Sequence, residues 1–148
     1  MPSLASILTL THLIGLALAI GAATAKLTLL LKSKSDPSFV QTFLAASPPL
    51  THLIIGGISL LVISGIGWVL YGYPVTPLLV TKLFLVGAVI ALGPVIDKII
   101  EPKFRSLAPA TAAAPPSPDF VRIRSRYLWV EVLATGLMFL IVFLWVLA

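Results

Sequence analysis

Six ionisable side chains lie inside segments of the sequence that are otherwise apolar. They are His12, Lys26, His52, Lys82, Asp97 and Glu131. A charged group inside a lipid bilayer costs several kcal/mol unless it is paired, neutral or able to reach the interface. Each of these side chains is therefore a candidate for ligand binding, ion pairing or proton transfer.

The depth of these side chains decides which of them meet. With the span centres near residues 18, 60, 88 and 137, a rise of about 1.5 Å per residue puts His12 and Lys82 about 9 Å outward of the bilayer midplane. The other four lie roughly 9 to 14 Å inward: Lys26, His52, Asp97 and Glu131. The heights of His12 and His52 differ by ~20 Å, so we expect that one haem iron cannot bind both.

The outer layer consists of His12 and Lys82. Because no acidic residue lies at its depth, Lys82 must reach the outer interface, lose its charge or contact a group from outside the chain. His12 is either a neutral imidazole bonded to a neighbouring helix or a ligand. His12 and Lys82 are thus the candidate cofactor-binding residues, and His12 is a metal ligand only if the metal is haem iron.

The inner layer indicates ion pairing at the cytoplasmic boundary. Lys26 can pair there with Asp97 and Glu131, and Arg126 is available as well. His52 is close enough to the boundary to contact water. Glu131 is the best candidate for a proton relay, since its carboxylate lies several residues inside an apolar span. A structural role is favoured over a catalytic one.

The composition places all of these side chains in a membrane. The chain has 148 residues, of which 59% are hydrophobic and 10% charged, and its mean hydropathy is +1.11. A water-soluble domain of this size could not bury so much apolar surface. The predicted fold is an all-α integral membrane four-helix bundle, a single transmembrane domain over residues 1–148. Its spans cover about 4–31, 49–70, 77–100 and 127–148, and residues 107–118 form an Ala/Pro-rich linker.

Two local patterns refine this outline. Ser47 precedes two prolines and is the expected N-cap of the second span, while Pro94 is expected to kink the third. Between the first two spans, Phe39, Val40, Phe43 and Leu44 have a spacing that favours a short interfacial helix, with an irregular linker as the alternative.

The basic residues predict an orientation. Nine of the ten Lys and Arg side chains lie around the first and third connections. By the positive-inside rule these connections are cytoplasmic, and both termini face the other side. This pattern favours anionic lipid headgroups as partners over nucleic acid. The expected location is a bacterial-type inner (plasma) membrane, with an organelle membrane as the alternative.

Several function classes are excluded. The chain has no cysteine, which rules out disulfides, thiolate metal sites, iron–sulfur clusters and thiol nucleophiles. It contains no Gly-rich phosphate loop, nucleophile elbow or His-x-x-x-His pair. A soluble-type hydrolase, kinase or metalloprotease is therefore unsupported, and the sequence leaves open whether the protein is an enzyme.

Four short motifs, one in each span, are arranged as in one known group of proteins. They are Leu10-Thr11-His12-Leu13 in span one, Ser64-Gly65-Ile66-Gly67-Trp68 in span two, Thr81-Lys82-Leu83 in span three, and Arg126 with Glu131 opening span four. This arrangement resembles the HemJ-type protoporphyrinogen oxidases and the copper-resistance D proteins. The resemblance implies haem b or a porphyrin held by His12 and Lys82. The sequence departs from the group at Val130-Glu131-Val132-Leu133, where Asn usually precedes the Glu and Pro follows it.

Three functions follow from these observations. The first is a membrane protein with a haem or porphyrin site near the outer leaflet and a redox or haem-related role. The second is a non-catalytic packing subunit or assembly factor of a larger membrane complex, because glycines and alanines at close spacing favour helix contacts or self-association. In this case the protein would bind no cofactor. The third is a proton- or ion-translocating subunit that uses Glu131, Asp97 and His52.

Overall fold

Four long helices make up most of the chain. The computed structural model describes residues 3–111 and 114–146, and only the backbone of residues 145 and 146. The helices are α1 (Leu4–Ser35), α2 (Phe39–Leu70), α3 (Pro77–Val95), α4 (Glu101–Leu107) and α5 (Pro118–Val146), and a π-helical segment (Ile96–Ile100) joins α3 to α4. None of the described residues forms a strand. The predicted all-α class is confirmed.

The outer surface of the bundle is apolar. The helices Leu4–Ser35, Phe39–Leu70, Pro77–Leu107 and Pro118–Leu144 are each long and apolar enough to cross a membrane. Large hydrophobic side chains lie on their surface, among them Phe84 (77% exposed) and Trp129 (73%). Such a surface is stable in lipid and not in water. The chain is therefore a small polytopic membrane protein that resides in a lipid bilayer.

Helices α1 and α2 are antiparallel, and two glycines allow them to approach closely. A Cβ atom on Gly57 would lie 2.5 Å from the backbone nitrogen of Ala19, and one on Gly15 would lie 2.8 Å from the carbonyl oxygen of Gly57. No side chain fits at such distances, so glycine is required at both positions for this approach. These small residues therefore serve packing within the chain.

The best-packed region is the inner end of the bundle, by which we mean the end that holds the C-terminus of α1 and all of α4. Phe43, Phe104, Phe120 and Tyr127 are fully buried there. The rings of Phe43, Phe104 and Tyr127 contact each other edge to face, with centroids 5.4 to 5.5 Å apart. Edge-to-face aromatic pairs stabilise a core beyond their buried area. This cluster joins α2, α4 and α5.

Helix α2 begins at Phe39, earlier than predicted, and Ser47 is not its N-cap. Pro48 lacks an N–H group, so it leaves the carbonyl oxygen of Leu44 without its helical donor. The Arg105 guanidinium donates to that oxygen at 3.1 Å. This tertiary hydrogen bond compensates for the proline, and the helix continues through it.

The segment before Ser47 is helical but is not an interfacial helix. Val40, Phe43 and Leu44 share one face, as their spacing predicts, and they are buried in the core. The turn between α1 and α2 is closed by Asp36, whose Oδ1 accepts hydrogen bonds from the Ser38 hydroxyl at 2.7 Å and the Ser38 N–H at 2.9 Å. These bonds hold the pKa of the Asp36 carboxyl below its usual range.

The third helix does not end at residue 100 but continues to Leu107. After Pro94 it widens into the π-helical segment, in which the Glu101 N–H donates to the carbonyl oxygen of Ile96, five residues back. Such segments rotate the residues that follow them and are frequent at functional sites. Residues 108–111 and 114–117 form neither helix nor strand. Residues 112 and 113 of the predicted linker, and 147 and 148 of the predicted fourth span, lie outside the described residues.

Candidate functional site

The inner polar site is built around the ammonium group of Lys26. The Lys26 side chain is only 2% exposed. Its Nζ lies 2.9 Å from Thr51 Oγ1 and 3.2 Å from Glu101 Oε2. It also lies 3.4 Å from Glu131 Oε1 and 3.8 Å from Asp97 Oδ1. One buried cation is thus surrounded by three carboxylates.

Glu101 is the most fully bonded of these carboxylates. Its Oε2 accepts hydrogen bonds from the hydroxyls of Ser47 and Tyr127, both at 2.8 Å, and from Lys26. Its Oε1 lies 3.5 Å from an Arg105 nitrogen. Buried carboxylates are stable when several donors satisfy them. Through Glu101, α4 is linked to α1, α2 and α5.

Local helix geometry explains how the acidic groups converge. Asp97 lies within the π-helical segment and Glu101 directly follows it. Because a π-helical turn contains one residue more than an α-helical turn, it changes the direction in which both side chains leave the helix. On α5, Tyr127 and Glu131 are four residues apart and therefore lie on one face. The site consequently depends on all four long helices.

A groove leads from this site toward the middle of the membrane. It is a cavity of about 630 Å³ lined by α2, α3 and α5, and Lys26, Asp97 and Glu131 lie at its inner end. Eight of its eighteen lining residues are isoleucine or valine, including Ile58, Ile63 and Ile90. Helix α2 packs on α1 and α3 packs on α5. The space between these two helix pairs is the groove.

The outer site contains His12. Its Nδ1 lies 2.9 Å from Ser64 Oγ, and Ser64 is fully buried. The Ser64 hydroxyl also lies 2.7 Å from the carbonyl oxygen of Leu60 and 3.1 Å from that of Leu61. In the tautomer with the proton on Nδ1, the ring donates to Ser64 Oγ while the hydroxyl donates to Leu60, and Nε2 carries a lone pair.

Lys82, on α3, is half-buried. No hydrogen bond joins it to His12, whose ring contacts Ser64. The ion pairs found among the described residues involve Lys26 and Arg105, not Lys82. An ammonium without a carboxylate at this depth is available to an anionic group from outside the chain.

The two histidines are held far apart. Because α1 and α2 are antiparallel, the contact of His12 with Ser64 puts His52 at the level of Lys26, next to Thr51. The separation along α2 is about 18 Å for the twelve residues between positions 64 and 52. The side chain of His52 is exposed. One iron therefore cannot bind both histidines.

A comparison of the chain with protein-family models, curated proteins and solved structures found no match. The two sites must therefore be interpreted from their own chemistry.

The structure brings together only part of the predicted inner layer. Lys26, Asp97 and Glu131 meet, whereas His52 and Arg126 are exposed, and Arg126 makes no ion pair within the described part of the chain. Sequence analysis missed the other members of the site, which are Ser47, Thr51, Glu101, Arg105 and Tyr127. A signal for two of them existed, because Glu101 follows Asp97 by four residues and Tyr127 precedes Glu131 by four, the spacing of helix neighbours.

Proposed function

We propose that the protein binds haem b or a porphyrin near the outer leaflet and has a redox or haem-related role. The observation that carries the proposal is the hydrogen bond between His12 Nδ1 and Ser64 Oγ. Histidines that bind metals usually donate their second ring N–H to a neighbouring acceptor, which fixes the tautomer and the ring orientation. With its proton on Nδ1, His12 meets this requirement and would hold the iron through Nε2.

The remaining chemistry of the outer site agrees with a haem rather than with a bare metal ion. Within residues 3–111 and 114–146, no group of three or more His, Asp or Glu side chains could hold a metal ion. A haem supplies four nitrogen ligands of its own, so one protein ligand suffices. Lys82 supplies a cation for a propionate. Bound haem would contribute one-electron redox chemistry.

Membrane type and lipid contacts belong to the same proposal. The clustering of basic residues around the first and third connections favours an inner (plasma) membrane with anionic headgroups against the inner end of the bundle. His12 and Lys82 then lie toward the non-cytoplasmic face.

The test is titration of the purified apoprotein with haemin in mild detergent. We expect a saturable Soret shift with one haem per chain for the wild type and for His52→Ala, which removes the other, exposed histidine. His12→Ala should lose the shift, and Ser64→Ala should weaken binding roughly ten- to a hundredfold, as loss of outer-shell partners does. Equal binding by the His12→Ala and His52→Ala variants would refute the proposal.

The second candidate function is a subunit of a larger membrane complex. Gly21, Gly56 and Gly87 lie at exposed positions where an added Cβ would meet no described atom within 4 Å. Small residues on a lipid-facing surface allow another helix to approach closely. Gly56→Leu should then dissociate a complex that survives mild detergent, and migration of the wild type as a lone monomer would count against this candidate.

A further inference from the structure

The groove between the two helix pairs ends at a carboxylate oxygen that has no donor. Glu131 is 3% exposed, and its Oε1 makes no hydrogen bond within the described residues. Lys26 Nζ forms an ion pair with it at 3.4 Å, but the hydrogen bonds of the ammonium go to Glu101 and Thr51. Glu131 lines the groove. A buried carboxylate without a full set of donors is unfavourable in a low-dielectric environment.

The charge of the inner site limits what could supply the missing donor. The charged residues that line the groove are two cations, Lys26 and Lys98, and two carboxylates, Asp97 and Glu131, and an anionic head placed at Glu131 Oε1 would be repelled by that carboxylate. A cationic head next to Glu131 Oε1 would have to lie close to the Lys26 ammonium. A neutral hydroxyl avoids both repulsions and donates the hydrogen bond that Oε1 lacks.

The shape of the groove limits the rest of the ligand. Beyond Glu131 its lining is apolar except for Ser59, whose hydroxyl donates to the Ile55 carbonyl oxygen, and it runs past Ile58 and Ile90 to Ile63 and Met138. Ile63 and Ile90 are 62% and 47% exposed on the membrane-facing surface. The groove is therefore open to lipid and suits an apolar chain that enters sideways from the bilayer.

We propose that this groove binds a membrane-soluble amphiphile with a neutral hydroxyl head, its tail against the α2 and α3 isoleucines and its O–H donating to Glu131 Oε1. The head is either phenolic, as in a quinol, or aliphatic, as in a diacylglycerol. This site is separate from the His12 site, and the proposal does not depend on haem binding.

The test is native mass spectrometry of the full chain in mild detergent, titrated separately with decylubiquinol, dioleoylglycerol, methyl oleate and oleylamine. We expect one bound molecule of decylubiquinol or of dioleoylglycerol, and the better ligand identifies the type of hydroxyl. Methyl oleate, which has no O–H group, and oleylamine should bind at least about tenfold more weakly, the worth of one charge-assisted hydrogen bond.

Two variants assign the binding to the groove. Ile90→Trp fills it from a position that is already half-exposed, and Glu131→Gln removes the carboxylate; each should weaken binding at least about tenfold. Leu83→Trp is the matched control, because Leu83 is also exposed on α3 but does not line the groove. Equal binding of methyl oleate, tighter binding of oleylamine, unchanged binding by Ile90→Trp, or no bound molecule would each overturn the proposal.

Discussion

Lys26 of α1 and Glu101 of α4 form a buried ion pair, with 3.2 Å between Nζ and Oε2, although 75 residues separate them in sequence. The pair joins the first helix to the continuation of the third, and the hydroxyls of Ser47 and Tyr127 converge on the same oxygen. The stability of the inner end therefore depends on this contact.

Replacing Lys26 tests that dependence. Lys26→Met keeps the length of the side chain but leaves two buried carboxylates, Glu101 and Glu131, and the partly buried Asp97 without their shared cation. Removing one partner of a buried ion pair typically costs about 3–5 kcal/mol, and we expect a loss of that size in the free energy of unfolding, measured by denaturation in mixed micelles. Lys34→Met is the control, because Lys34 is exposed, and it should change stability little. A loss below about 1 kcal/mol in Lys26→Met would contradict the role assigned to the pair.

Two neighbouring glycines should respond in opposite ways to the same substitution. The new methyl of Gly57→Ala would lie 2.5 Å from the Ala19 nitrogen, so α1 and α2 must separate, at a cost of about 1–3 kcal/mol. At Gly56 the methyl meets open space, and Gly56→Ala should leave stability unchanged or raise it by up to about 1 kcal/mol. Thermal unfolding in detergent compares them, and similar melting temperatures would show that the α1–α2 contact is looser than described.

The hydrogen bond from Arg105 to the Leu44 carbonyl should matter only while residue 48 is proline. Arg105→Ala should cost about 1 kcal/mol in the wild type. In Pro48→Ala the new N–H can bond to the Leu44 oxygen, so the same Arg105 substitution should cost less. A double-mutant cycle measures this coupling, for which we expect at least about 0.5 kcal/mol. Additive effects would mean that Arg105 does not compensate for the proline; Arg122→Ala, at an exposed position, is the control.

Composition and residue depth predict most of the architecture, because the lipid bilayer constrains both which residues a span contains and how deep each residue lies. A bilayer requires apolar spans of a certain length, and the rise of a helix converts position into height. That reasoning placed Lys26, Asp97 and Glu131 in one layer. The all-α fold follows from the same constraint, since only helices satisfy the backbone of a lone apolar segment in lipid.

The sequence does not reveal where a residue that is distant in sequence replaces a missing local hydrogen bond. Ser47 before two prolines has the pattern of a helix start, yet the helix passes through because Arg105, distant in sequence, supplies the missing donor. The spacing of Asp97 and Glu101 indicates that they are neighbours, but it does not reveal the π-helical segment after Pro94 that directs both into the site. Which face a polar residue takes, as for the exposed Arg126, is also set by packing.

The central claim is that His12 is the ligand of a haem or porphyrin, and the most direct measurement is the absorption spectrum of wild-type protein purified in mild detergent from membranes of haem-producing cells. The proposal predicts a Soret band that co-purifies with the chain and is lost in His12→Ala but kept in His52→Ala, with all three samples equally folded by circular dichroism. A folded wild-type protein without Soret absorbance would contradict it.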